Sequence, residues 1–219
     1  MSMKQILVYA DSLSWGIVPG TRARHPFETR WPGRLEIGLR AQGEGVRVIE
    51  DCLNGRRTVF DDPFKAGRSG LEGLAQRIEV NSPLALVILM LGNNDFQSMH
   101  PHTAWHAAQG NAALVHAIRS APIEPGMPVP PILLVAPPPI GTPAGAMADK
   151  FAGGDAKWVG FAEQLARVAL ESECAFFDAG EHIHASAADG VHLDAHSHHR
   201  LGDALVPVVA RLLGSTAAP

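Results

Sequence analysis

The chain has 219 residues, 46% of them hydrophobic and 18% charged, with a formal net charge of −4. This make-up supports one globular domain with a sizeable core and lacks the basic footprint of a nucleic-acid binder. There is no leader-like opening and no apolar stretch long enough to cross a bilayer. Cys52 and Cys174 sit far apart in unrelated contexts, so the expectation is a cytoplasmic protein with two ordinary buried thiols and no membrane partner.

In chain order, Gln5 to Ala10 is an aliphatic run of strand length that ends abruptly in Asp11-Ser12. The carboxyl ends of parallel strands form ligand crevices, so Ser12 stands where a hydroxyl could meet a substrate. On position alone a turn or helix cap is the better reading, because a serine needs a base to become a nucleophile. A polar Gly/Pro-bearing segment spans 17–30. A helix follows from Trp31, with Pro32 in its first turn and Gly43 and Gly45 to end it. Val46 to Glu50 reads as a second strand, followed by a polar turn in which the N–H of Gly55 could approach a ligand closely, although a plain turn glycine explains it equally.

Residues 70–79 suit a short helix. Leu84 to Leu91 is apolar throughout and reads as a central strand, closed by Gly92-Asn93-Asn94-Asp95. A helix over 103–120 leads to a strand at Pro131 to Ala136, which the prolines 137–139 must end. The loop 140–154 is longer than most connections. One helix is expected over 155–173, with Trp158, Phe161, Leu165, Val168 and Ala169 on one face, then a strand at Ala175 to Asp178 and a terminal helix over 195–213. Strands alternate with helices, so the class is α/β with a parallel sheet in three layers.

Asp11-Ser12-Leu13, Gly55, Gly92-Asn93-Asn94-Asp95 and Asp189-Gly190-Val191-His192 resemble, in order, the four signature blocks of the SGNH, or GDSL, hydrolases. Asp-Ser-Leu-Ser-Trp-Gly at 11–16, Arg30-Trp31-Pro32-Gly33, Asp61-Asp62-Pro63 and Pro137 to Pro139 look like the bacterial arylesterase and acetylesterase branch. The resemblance implies a three-layer α/β/α sandwich around a five-stranded parallel sheet, flavodoxin-like in type. It implies a cofactor-free serine esterase acting on short-chain, especially acetyl, esters of small molecules. Ser12 would be the nucleophile, His192 the base and Asp189 its orienter. The N–H groups of Ser12 and Gly55 and the Asn94 amide would form the oxyanion hole.

Asp11 and Asp95 would be supporting residues. Trp15, Phe151 and Val191 would wall a narrow acyl site, with core packing as their other reading. Homo-oligomers are expected, with contacts in the loops 17–30 and 140–154. Ala10 stands where the family's first block usually has glycine, which matters only if φ there is positive. His196, His198 and His199 raise a metal site with His192, but spacing along a helix start favours surface histidines. A thioesterase or lysophospholipase of the same family and a non-catalytic ligand-binding α/β module are the alternatives; the loops lack a phosphate-binding glycine fingerprint.

Overall fold

A computed structural model describes residues 3–215. Five strands, β1 (Lys4–Ala10), β2 (Val46–Cys52), β3 (Leu86–Met90), β4 (Ile132–Ala136) and β5 (Ala175–Asp178), form one all-parallel sheet in the order β2-β1-β3-β4-β5. The chain runs outward from β1 to β2 and then crosses back to β3. This makes the carboxyl end of β1 the topological switch point, where such sheets open a crevice.

Side chains alternate across each strand and divide the core into two. Leu7 and Tyr9 join α3 (Leu74–Asn81), α4 (Ala104–Arg119), α5 (Gly154–Trp158) and α6 (Phe161–Glu171) on one face. Ile6, Val8 and Ala10 join α1 (Ser12–Trp15), α2 (Trp31–Ala41) and α7 (Ala195–Ser215) on the other. The three-layer architecture expected from the sequence is therefore present. Both faces of β3 and β4 are covered, which is why these two strands are apolar at every position.

The helix expected over 155–173 is two helices. Gly160 takes a left-handed conformation (φ +83°) and breaks the chain between α5 and α6. The break lets Trp158 and Phe161 both turn into the core, where their rings meet edge to face at 6.1 Å. Ala10 ends β1 in register with Cys52 and Met90, and among the described residues the non-glycine with positive φ is Glu173. Alanine at the head of the first block is thus unstrained. Cys52 is buried, whereas Cys174 is only half-buried, short of the expectation for it. Among the described residues no helix is long and apolar enough to cross a membrane.

Candidate active site

Register brings the polar blocks together. Ala10 lies opposite both Cys52 and Met90, so the chain leaves β1 at Asp11, β2 at Leu53 and β3 at Leu91 along one edge of the sheet. Asp11 caps α1, its Oδ1 accepting from the Leu13 N–H at 2.9 Å, and Ser12 opens the helix. The cap expected at Ser12 is therefore supplied by Asp11, and Ser12 lines the crevice instead. Ser12, Gly55, Asn94, Phe151 and His192 line one cavity of about 70 Å³.

The orientation of Asn94 follows from a chain of groups. Arg57 is fully buried and can only donate; it pairs with Asp62 at 2.9 Å and sends an N–H to Gln97 Oε1 at 2.7 Å. Gln97 must then present its amide nitrogen to Asn94 Oδ1, at 2.7 Å. Asn94 is left with its nitrogen toward Asp11 Oδ2, 2.8 Å, and the carbonyl of Arg56, 3.1 Å. One cation at the far end thus fixes the direction of the Asn94 amide.

The two buried aspartates bind the crevice loops to one another. Asp11 joins the β1 loop to Asn94. Asp95 accepts from both the N–H and the hydroxyl of Thr58, at 3.0 and 2.5 Å, joining the β3 loop to the β2 loop. Burial pushes Asp11 up to about 6 and Asp95 up to about 7, against the lowering effect of these hydrogen bonds. Neither lines the cavity.

Asp189 and His192 arrive from the loop before α7. Gly190 is the tight point of that loop. Its φ is +75°, and a Cβ there would stand 2.1 Å from the carbonyl oxygen of Thr142. Asp189 Oδ2 lies 2.7 Å from His192 Nδ1 and also accepts from the Gly20 N–H at 3.1 Å. Its Oδ1 accepts from the N–H groups of Val191 and His192. Burial alone would raise this carboxyl, but the His192 ring and the backbone donors outweigh burial and hold it well below the usual carboxylate range. An ionised Asp189 only accepts, so the ring proton sits on Nδ1 and Nε2 keeps a free lone pair.

Two expected lining residues lie elsewhere. Trp15 ends the single turn of α1 and lines a separate surface hollow with Glu50 and Cys52. The Arg24 guanidinium lies 4.7 Å over its ring, and Arg24 Nε donates to its carbonyl at 2.8 Å, holding it away from the Ser12 cavity. Val191 is buried in the core beside α4 and α6 because its neighbours Asp189 and His192 take the crevice side of the loop.

The histidine cluster also divides. His196 and His199 are exposed, but His198 is fully buried, its Nδ1 accepting from the Trp31 N–H at 3.3 Å. Burial first, then His25 and Arg30, push it down to about 3. It is a neutral core histidine because the first turn of α7 packs on α2. Among the described residues no group of three His, Cys, Asp or Glu is arranged to hold a metal ion.

Sequence reasoning passed over Arg57 and Gln97 as well as Ile17, Arg22, Asn54, Lys65, Met147 and Lys150 on the cavity wall. A pair of arginines in the turn after the second strand was the available signal for Arg57, since a buried arginine needs dedicated partners. The lining cations carried no local signal.

The comparisons agree with this geometry. The GDSL-like Lipase/Acylhydrolase family matches residues 11–200. Est24, a carbohydrate acetylesterase from Sinorhizobium meliloti, is 34% identical with a TM-score of 0.90, over 95% of this chain and 99% of that one. A second carbohydrate acetylesterase family member from the same organism is 37% identical with a TM-score of 0.90, over 97% and 100%. The inhibitor-bound aryl esterase of M. smegmatis is 32% identical with a TM-score of 0.90, over 95% and 99%. Among curated proteins none matches significantly. With the whole span from the Asp11-Ser12 turn to the start of α7 matched, the chain belongs to the GDSL-like lipase/acylhydrolase family.

Proposed function

We propose that the protein is a serine esterase that hydrolyses short-chain, above all acetyl, esters through an acyl-enzyme on Ser12. The observation that carries this is the meeting of Ser12, Gly55, Asn94 and His192 on one small cavity, with Asp189 2.7 Å behind the imidazole. His192 Nε2 takes the Ser12 proton as Oγ attacks the ester carbonyl, and the carbonyl π pair moves onto oxygen. That oxyanion accepts from the N–H groups of Ser12 and Gly55 and from Asn94 Nδ2, which gives up its longer bond, to the Arg56 carbonyl. The intermediate collapses, expelling the alcohol, which leaves with the proton held by His192. Water, deprotonated by the same nitrogen, then releases the acid. An alcohol in place of water gives acyl transfer.

A cavity of about 70 Å³ is roughly half of one that holds benzene, so it suits an acetyl group and disfavours long acyl chains. Hydrolysis of p-nitrophenyl esters from acetate to decanoate tests the reading. We expect a maximum at acetate and loss of activity in Ser12→Ala. A maximum at long chains would replace the acetylesterase by a lipase or thioesterase, and activity surviving in Ser12→Ala would remove the acyl-enzyme.

A further inference from the structure

Three cations, Arg22, Lys65 and Lys150, line the cavity that holds Ser12 and His192, and all three are exposed. Among the described residues none of them has an ion-pair partner. The carboxylate on the same wall, Asp62, is already engaged by Arg57 at 2.9 Å and by the Phe64 N–H at 2.9 Å. Burial, Arg57, Lys65 and Arg22 all push the Lys150 ammonium down, opposed only by Asp62. These positive groups therefore feel one another across the mouth of the site. They come from three separate loops of a chain whose net charge is −4, so the concentration runs against the sign of the whole molecule. Uncompensated like charges around a cleft attract and hold an anion.

Size decides which part of an ester carries that anion. A short acyl chain fills most of a cavity of about 70 Å³, so a charged group stands at its mouth, where the three cations are exposed. A neighbouring hollow of about 350 Å³ shares Ile17, Arg22, Met147 and His192 with it. His192 hands a proton to the departing alcohol, so the alcohol part lies at the junction of the two spaces, beside Arg22, which lines both.

Resting on the esterase reading above, we propose that the preferred substrates are short-chain esters whose alcohol part bears a carboxylate or phosphate, received by Arg22, Lys65 and Lys150. The anion takes no part in bond making; it seats the ester so that its carbonyl meets Ser12.

The test compares kcat/KM for 4-acetoxybenzoate and 4-acetoxyphenyl phosphate with that for neutral methyl 4-acetoxybenzoate, in wild type and in the triple variant Arg22→Gln, Lys65→Gln, Lys150→Gln. Leaving-group reactivity cancels when the anionic-to-neutral ratio of the variant is divided by that of the wild type. With each exposed cation worth up to about fivefold, this quotient should fall on the order of tenfold. The wild-type ratio itself should shrink in 1 M salt, where the screening length is about 3 Å. A fall for only one of the two anions supports the proposal and names the anion. An unchanged quotient, or a ratio indifferent to salt, overturns it. Neutral ester cleaved by wild type without preference leaves the esterase reading standing, whereas cleavage of all three esters by Ser12→Ala sinks that reading instead.

Discussion

On the floor of the crevice the polar side chains run hand to hand, from Asp11 through Asn94, Gln97 and Arg57 to Asp62, whereas on the rim Arg22, Lys65 and Lys150 reach solvent with no ion-pair partner among the described residues. The floor is dry, so an unmatched group there would carry the full cost of its lost hydration, and each amide has one permitted direction. The rim is wet, where an exposed charge costs little. Chemistry that depends on the position of a single proton belongs on the floor. Selection among substrates can be left to the rim.

The largest effect is expected where the floor holds the imidazole. Asp189→Asn should lower kcat on p-nitrophenyl acetate by about 10³–10⁴, because the amide no longer fixes the Nδ1–H tautomer. A loss of less than tenfold in a folded variant would detach Asp189 from the proton transfer.

Next comes the direction of the chain itself. In Gln97→Glu the new carboxylate still accepts from Arg57 but cannot donate to Asn94, so Asn94 should turn its nitrogen toward that carboxylate and away from Asp11 and the Arg56 carbonyl. We expect kcat to fall about 10- to 10³-fold with KM little changed, as for loss of one oxyanion donor. Equal loss in KM and kcat would point to a collapsed site rather than a turned amide.

A smaller effect concerns pH. Asp11 and Asp95 titrate near 6 and 7 in the folded chain, above their ordinary 3.8. The folded state therefore holds more protons than the unfolded between about pH 4 and 7, and this contribution to stability is lost as pH rises through that window. His198 acts in the opposite sense: with a folded value of about 3 against 6.5, the unfolded chain binds the extra proton, and stability rises with pH between those values. Asp95→Asn removes one falling contribution, so its Tm at about pH 7.5 relative to about pH 5 should be higher than the same difference in wild type. An identical pH dependence of Tm would mean that Asp95 does not titrate in this range.

The smallest effect lies away from both regions. The Arg34–Asp203 pair is 40% and 52% exposed, and Asp203→Asn should change stability by less than about 1 kcal/mol and leave kcat untouched. A larger loss in Tm would show that the α2–α7 contact leans on this pair.

Local patterning carried most of the fold. Strands apolar at every position announce burial on both faces, and a polar block after each announces the crevice edge, because both signals depend on neighbours in sequence. The resemblance of those blocks to a known family, and not patterning, singled out Ser12, Gly55, Asn94 and the Asp189–His192 pair. Local reading failed wherever the outcome depended on a distant partner. Gly160 could not be read as a break without knowing that Trp158 and Phe161 share one core. Trp15 could not be read as leaving the site without Arg24 over its ring. His198 resembles its exposed neighbours in sequence, and only the packing of α7 on α2 removes it from water.

By itself, then, the sequence determined the strands and the polar blocks at their ends, which follow from backbone periodicity, and through the resemblance of those blocks to a known family the residues for acyl chemistry. Tertiary structure alone decided which way Asn94 faces and which cations gather at the mouth. Both depend on groups brought together from separate loops, and electrostatics and hydrogen-bond direction act through space and not along the chain.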